Sequence, residues 1–225
     1  MTRSAAETIL CSRLAESAAA WWGGAMTAAR TEPRSALGSF LPVWSAAGRR
    51  LGTAEIKLLP GEERGLPFSP QGWAMDECGR ALLLLAMLDA AHADTHEALV
   101  DELFRTAEIR ERQALLRVLD YLPGASRFVS VGIEAVRSSA TSVIEAIACD
   151  NPYPAKHFPD DAYGQMVLKC LFSGLPLLRV QGLARRRTPE LKRMVLAYAS
   201  ERRAAGRMVP QDAALVLEGD ADAPV

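Results

Sequence analysis

The residue types best suited to chemistry gather at one proline-rich stretch, Asp150-Asn151-Pro152-Tyr153-Pro154-Ala155-Lys156-His157-Phe158-Pro159. Prolines beside aromatic residues predict a rigid loop between two helices, and such loops often carry functional groups. Gln165 and Lys169 lie four residues apart on the helix expected next, where they share a face. We therefore expect the loop and this helix to form a surface that binds a ligand or a partner. The residues expected to make contact are Asp150, Asn151, Tyr153, His157, Gln165 and Lys169.

A structural alternative accounts for the same stretch. In that case the loop only connects two helices, with Tyr153 and Phe158 filling the core and the polar groups capping backbone. Asp160 and Asp161 occupy the first turn of the following helix, where the helix dipole is positive, so they disfavour an anionic ligand at that end. Both interpretations stay open from the sequence.

Arg185-Arg186-Arg187 is the basic triplet of the chain. At the end of a predicted helix these arginines complement the negative end of the dipole and solvate the turn. Guanidinium groups also bind phosphates and carboxylates through two parallel hydrogen bonds. We therefore add Arg186 and Arg187 to the candidate binding residues.

Catalytic and metal-binding patterns are scarce. The sequence lacks the phosphate loop, the dinucleotide fingerprint, the nucleophile elbow and the H-E-x-x-H zinc motif. His92 and His96 are four residues apart, but Asp94 between them is the predicted N-cap, so the two imidazoles straddle a helix start. We predict no metal site and no cofactor. Should the protein be an enzyme, His157 is the candidate acid or base and Lys169 the group that holds charge.

Composition describes an ordinary globular protein. The chain has 225 residues, 49% of them hydrophobic and 24% charged, and its formal net charge of −1 argues against binding to nucleic acid or anionic membranes. Its four cysteines show no C-x-x-C spacing and lie in apolar or helix-like stretches, which predicts buried free thiols. The longest apolar run, Ala81 to Leu88, is too short to span a membrane, and no signal-like segment precedes it. We expect a cytoplasmic protein.

Helix signals recur in the first part of the chain. One helix is predicted from Ser4 to Trp22, ending at Gly23-Gly24, and a second from Arg34 to Ala47, kinked or broken at Pro42. Residues 48–72 are predicted as a loop, briefly extended near Glu55 to Leu59.

Regular helix signals continue downstream. Ser69-Pro70 is expected to cap a helix that ends at Leu88, and Asp94 with Glu97 to open the next. Residues 125–138 fit either a strand or a helix, and the helical neighbours favour a helix. Thr188-Pro189-Glu190 is the clearest helix start. The other predicted helices lie at 108–122, 142–149, 160–173 and 175–184.

Taken in pairs, the helices after residue 73 recur about every 30 to 35 residues, the period of α-solenoid repeats. We predict an all-α protein of stacked helical hairpins, either an α-solenoid or HEAT-like superhelix or an irregular multi-helix bundle. Residues 1–217 are predicted as a single domain, with N-terminal helices in 1–47, a loop in 48–72 and hairpins in 73–217. Residues 218–225 carry three acids and no base and are predicted as a frayed tail.

The proline-rich stretch and its surroundings resemble a known signature. Asp150 to Ala155, His157-Phe158-Pro159, Gln165 to Lys169 and Leu171-Phe172 are similar to the signature of the EboA-domain family. Arg186 to Leu191 and Tyr198 to Arg207 resemble its C-terminal block. The resemblance covers residues 141–210 strongly and the preceding part only in helical character, and Tyr163-Gly164 and Arg203 depart from it.

The resemblance implies a bacterial operon protein. Such operons also encode enzymes similar to a membrane prenyltransferase, a sugar-phosphate cyclase, a sugar-phosphate isomerase and metal-dependent hydrolases. They make or export a small metabolite, such as the scytonemin precursor of cyanobacteria, and the family has no assigned reaction. We predict a non-catalytic accessory protein of secondary-metabolite biosynthesis or transport, which binds an operon-encoded enzyme or a metabolite intermediate. Alternatives are an enzyme acting on a sugar- or prenyl-derived intermediate, with His157 as acid or base, and a structural homo-oligomer.

Overall fold

Helices make up the whole regular structure of the described chain. The computed structural model describes residues 2–31, 37–38, 40–62, 66, 68 and 70–217. Within those ranges the chain forms twelve α-helices and short 3-10 turns, and strand-like pairing is limited to isolated bridges. The predicted all-α class is confirmed. None of the helices in these ranges is long and apolar enough to cross a membrane.

The chain divides into two compact units, Met1–Val131 and Gly132–Val225. The single domain over 1–217 stays a prediction, and the predicted frayed tail at 218–225 lies outside the described residues. Three of the four cysteines, Cys78, Cys149 and Cys170, are buried free thiols as predicted, whereas Cys11 is half-buried.

The first unit is built around one buried helix, α4. In chain order its helices are α1 (Thr2–Cys11), α2 (Glu16–Thr31), α3 (Phe40–Leu51), α4 (Met75–Ala90), α5 (His96–Thr106) and α6 (Ile109–Val118). Helices α1, α2, α3 and α6 all pack against α4. Apolar side chains on nearly every side of α4 make this possible, because a helix without a polar face can only be stable when it is surrounded.

The N-terminal half of α4 buries charge. Asp76 is fully buried, and its carboxylate accepts from Arg80 at 2.6 Å and from Arg110 at 2.7 Å. The Arg80 guanidinium also donates to the backbone oxygen of Trp44 at 3.2 Å. A side chain at Gly48 would lie 3.1 Å from this guanidinium, so glycine makes room for it. These partners replace the water that a buried carboxylate and guanidinium lose.

The second unit is organised around α10. Its helices are the end of α7 (Val129–Val136), then α8 (Thr141–Ala148), α9 (Tyr153–His157), α10 (Asp160–Ser173), α11 (Pro189–Ala204) and α12 (Ala214–Leu217). Helix α10 packs on α8 and on α11. The helix predicted for 125–138 is confirmed as a 3-10 turn followed by α7. The start of α11 is also confirmed, since the Thr188 hydroxyl accepts from the Leu191 N–H at 3.1 Å.

Two predicted boundaries in the first unit are wrong. Helix α2 passes through Gly23-Gly24, because Trp22, Ala25, Met26 and Ala29 form a buried stripe whose packing outweighs glycine's low helix propensity. The single helix predicted from Ser4 to Trp22 is instead divided between Cys11 and Glu16 into α1 and α2. Pro42 lies in the first turn of α3, where a missing N–H costs no helical bond, so α3 is not broken there.

Three other predicted features of the fold also differ. Helix α4 begins at Met75 rather than at Ser69-Pro70, and Ser69 lies outside the described residues. Asp94 lies inside a 3-10 turn and α5 begins at His96, so Asp94 is not the N-cap. The helix predicted for 175–184 is replaced by 3-10 turns at Leu177–Arg179 and Ala184–Arg186. Pro176 and Gly182, whose φ is +75°, interrupt regular helix between them.

Candidate functional site

A cleft of about 800 Å³ opens on one face of α10 in the second unit. We call it the α10 cleft. Most of its lining is apolar, with a few polar groups, which is the composition typical of small-molecule sites. The lining residues are Ile133, Val136, Arg137, Asp161, Ala162, Gln165, Leu168, Lys169, Phe172 and Tyr198.

Helical spacing places the α10 residues of the cleft on one side. Asp161, Gln165, Lys169 and Phe172 follow one another at intervals of three or four residues, so they lie on one face, and Leu168 lies beside Lys169. The other face of α10 carries side chains that are buried in the unit. They include Tyr163, Met166, Val167 and Cys170. Burial of that second face fixes the orientation of the first toward the cleft.

The remaining walls come from α7 and α11. Ile133 and Val136 project from the last turns of α7, and Tyr198 projects from α11. The Tyr198 hydroxyl donates to the Leu171 backbone oxygen at 3.4 Å, while its ring lies 5.7 Å from the Arg202 guanidinium carbon. Both contacts hold this aromatic ring in place at the cleft edge.

The polar groups of the cleft are mostly unused by the fold. Within the described residues, the side chains of Asp161, Gln165 and Lys169 form no hydrogen bond or ion pair. Arg137 is different, since it pairs with Glu134 at 3.2 Å on the surface. In this part of the chain, Lys169 is therefore the unpaired cation of the cleft, beside the apolar side chains of Leu168 and Phe172.

The proline-rich stretch, residues 150–159, forms a packed corner rather than an open loop. We call it the proline corner. It contains a short helix, α9, which the sequence analysis did not predict. Tyr153 is 0% exposed, and its ring packs edge-on to Phe158 and 4.7 Å from the ring of His157. Asn151 is also buried; it donates to the Ala146 backbone oxygen at 2.9 Å and accepts from the Tyr153 N–H at 3.0 Å.

Asp150 enters the proline corner in a left-handed conformation, with φ of +53°. Its backbone N–H donates to the backbone oxygen of Arg179 at 2.8 Å, and its carboxylate accepts from the same arginine's guanidinium at 2.8 Å. Arg179 also pairs with Glu145 at 2.6 Å. Aspartate adopts this conformation more readily than most non-glycine residues, and these contacts hold it in place.

Arg186 is the residue that fastens the proline corner to the rest of the unit. Its guanidinium lies over the ring of Tyr163, 4.5 Å from the centroid. It also donates to four acceptors, the backbone oxygens of Pro154 (3.0 Å), Ala155 (3.2 Å) and Phe158 (2.7 Å) and the carboxylate of Asp160 (2.6 Å). Both terminal nitrogens of its guanidinium are thus bound to groups of the same unit.

The pKa of Tyr163 reflects this packing. Burial raises the pKa of its hydroxyl to about 12, although the nearby Arg186 cation acts in the opposite direction. The hydroxyl donates to the Gln181 backbone oxygen at 2.8 Å. Burial likewise raises the pKa of the Cys170 thiol to about 12, so this thiol stays protonated at neutral pH.

The predicted binding residues therefore fall into two groups. Gln165 and Lys169 line the α10 cleft, whereas the other six do not belong to its lining. Four of those six, Asp150, Asn151, Tyr153 and Arg186, make the corner contacts given above. His157 packs on Tyr153, and Arg187 donates to the backbone oxygens of Ala184 and Leu215. A ligand-binding role for any of the eight stays a prediction.

The sequence analysis missed most of the cleft walls. The sequence signal for this face was the spacing of four residues, Asp161, Gln165, Lys169 and Phe172. The sequence analysis used only Gln165 and Lys169. Ile133 and Tyr198 line the cleft because α7 and α11 pack near α10. The local periodicity of the sequence does not predict such packing. Tyr198, which is half-buried, is identified from the sequence only as part of the C-terminal block of the family resemblance.

A family model described as "Metabolite traffic protein EboA" matches residues 3–217 of the chain. No curated protein and no solved structure matches it.

Proposed function

Because the chain belongs to the EboA family, described as metabolite traffic proteins, we propose that it binds a small metabolite in the α10 cleft and hands it on without transforming it. The family description suggests a role in metabolite traffic. The finer proposal of a non-catalytic binding protein is supported by the composition of the cleft. The proposal that it serves enzymes of the same operon rests on the family resemblance alone.

The observation that carries this proposal is the pairing of an apolar cleft with unused polar groups. Ligand pockets are typically concave, about 300–1,000 Å³ in volume, mostly apolar and provided with a few polar groups that orient the ligand. The α10 cleft, at about 800 Å³, has this composition. Lys169 and Gln165 supply a cation and an amide that the fold itself does not use.

A traffic role also requires release of the ligand. The cleft is open to solvent along the exposed side of α10, where Phe172 is 70% exposed. A ligand held between α10 and Tyr198 can therefore leave without unfolding of the unit. The partner that receives it is, by our proposal, an enzyme or transporter encoded in the same operon.

Filling the cleft tests the proposal. The full chain and its Ala162→Trp variant are each purified from the native host. Native mass spectrometry then measures the mass of each protein. Ala162 lines the cleft, so an indole there occupies the ligand's space. Ala197→Trp on the exposed side of α11 is the matched control, because Ala197 does not line the cleft.

We expect a small-molecule adduct on the parent protein and on the Ala197→Trp variant, and its loss from the Ala162→Trp variant. Thermal unfolding monitored by circular dichroism verifies that both variants are folded. An adduct that survives in folded Ala162→Trp protein, or its absence from the parent protein, would overturn the proposal.

A further inference from the structure

We propose that the α10 cleft selects an amphipathic monoanion, a carboxylate with an apolar body, and binds it with the carboxylate at Lys169. This inference rests on the proposed function and adds the chemical class and the orientation of the ligand. It depends on the order of charges along α10 and on the number of cations that can bind an anionic ligand.

The charges of the cleft are separated along the helix. Asp161 stands in the first turn of α10 and Lys169 eight residues later, which at 1.5 Å per residue is about 12 Å along the axis. Gln165 lies between them. An anionic group is repelled at the Asp161 end and attracted at the Lys169 end. A hydroxyl or amine at the far end of the ligand would suit the free Asp161 carboxylate.

The number of free cations limits the charge of the ligand. Among the described cleft residues, Lys169 has no ion-pair partner, whereas Glu134 offsets the charge of Arg137 in an exposed pair. Phosphate sites typically combine arginine forks with further donors, because a dianion taken out of water needs more than one compensating charge. One ammonium group matches one carboxylate. A phosphate or diphosphate ester would leave negative charge uncompensated.

The apolar walls define the body of the ligand. Leu168 and Phe172 flank Lys169 on α10, and Ile133 and Tyr198 face them from the neighbouring helices. A ligand that covers Phe172 removes one of the large exposed apolar surfaces of the unit from water, which favours binding in proportion to the area covered. The apolar walls thus contribute to the affinity, and the charge of Lys169 orients the ligand.

Three probes with the same alkyl chain and different head groups test the inference. They are octanoate, 1-octanol and octyl phosphate, titrated into the full-length protein by calorimetry and followed in amide NMR spectra to locate the site. The variant Lys169→Gln removes the cation, and Lys192→Gln is the control. Lys192 has the same intermediate burial but is not part of the cleft lining.

We expect octanoate to bind about tenfold or more tightly than 1-octanol, with shifts confined to cleft residues. Lys169→Gln should abolish that preference, and Lys192→Gln should preserve it. Octyl phosphate should bind no more tightly than octanoate.

Equal affinity for octanoate and 1-octanol, or tighter binding of octyl phosphate, would overturn the inference. Such a result would still show that the cleft binds a ligand. Absence of binding by all three probes would also overturn it. The proposed function is judged separately by the native-mass adduct, which does not depend on these probes.

Discussion

The proline corner and the α10 cleft are built from similar residues, yet they use their polar groups in opposite ways. In the corner, Asn151 donates and accepts hydrogen bonds within the same unit, and Arg186 donates to the corner's carbonyls and to the Asp160 carboxylate from outside it. In the cleft, Lys169 and Gln165 have no such partner within the described residues. A polar side chain that the fold has already satisfied gains little from a ligand, because binding would only exchange one hydrogen bond for another.

The two surfaces also depend on each other. Phe158 of the corner packs against Gly132 on α7, where a side chain would come within 2.7 Å of the phenyl ring. Ile133, the next residue of α7, and Val136, one turn further on, form a wall of the cleft. The corner therefore acts on the cleft by holding α7 in place. We infer that damage to the corner changes stability first and ligand binding only as a consequence.

The largest expected effect comes from emptying the corner. Tyr153→Ala removes a fully buried aromatic ring and leaves a cavity, so we expect the free energy of unfolding to fall by about 3–5 kcal/mol. Urea denaturation followed by circular dichroism measures the change. Phe172→Ala is the control from the cleft, where the side chain is 70% exposed, and its effect should stay within about 0.5 kcal/mol. Similar losses for the two variants would remove the distinction between the surfaces.

A second test concerns the planar side chain of Arg186, which fastens the corner. Arg186→Lys keeps the positive charge but loses the planar fork that reaches several acceptors at once. We expect a loss of about 2–3 kcal/mol in the free energy of unfolding, close to that of Arg186→Ala, because the carbonyls of Pro154 and Phe158 lose their donor. Arg185→Lys, on an exposed neighbour, is the control. Full stability of the Arg186→Lys variant would show that charge alone is sufficient.

Asn151 allows a finer test, because its side-chain amide both donates and accepts a hydrogen bond. Asn151→Ala removes a buried donor and a buried acceptor, and we expect it to cost about 1–3 kcal/mol in unfolding experiments. Asn151→Asp retains the acceptor for the Tyr153 N–H but places a carboxylate against the Ala146 carbonyl oxygen. It should therefore be no more stable than the alanine variant. An aspartate variant as stable as the parent protein would contradict the assigned orientation of the amide.

The corner and the cleft also differ in how well they could be predicted. One signal that acts within a single turn is confirmed, since Thr188-Pro189 begins α11 where its sequence predicts. The helix starts predicted from equally local signals at Pro70 and Asp94 are wrong. Signals overruled by packing were wrong as well, as the passage of α2 through Gly23-Gly24 shows. The buried charges of Asp76 and Arg80 were also missed, since only the packing of α3, α4 and α6 supplies their partners.

The candidate site shows the same limit. Prolines and aromatic residues predicted a rigid loop at 150–159, whereas the structure has a short helix there. The burial of Tyr153 and Phe158 agrees with the structural alternative, in which they fill the core, but local composition does not distinguish a packed corner from an exposed loop. That distinction depends on Arg186, which lies about thirty residues downstream and satisfies the corner's carbonyls. Gln165 and Lys169 were identified through their spacing, a property of the helix itself. The walls opposite them required the tertiary structure.

The smallest expected effect belongs to the cleft amide and is the most informative about ligand binding. Gln165→Ala removes one neutral group that the fold does not use, so the free energy of unfolding should change by less than about 0.5 kcal/mol. If the amide contacts the ligand, octanoate affinity measured by calorimetry should fall about two- to tenfold, the worth of one neutral hydrogen bond. Gln181→Ala, an exposed glutamine of the same unit outside the cleft, should change neither quantity. A stability loss without an affinity loss would assign Gln165 to the fold, and the contrast between the two surfaces would then rest on Lys169 alone.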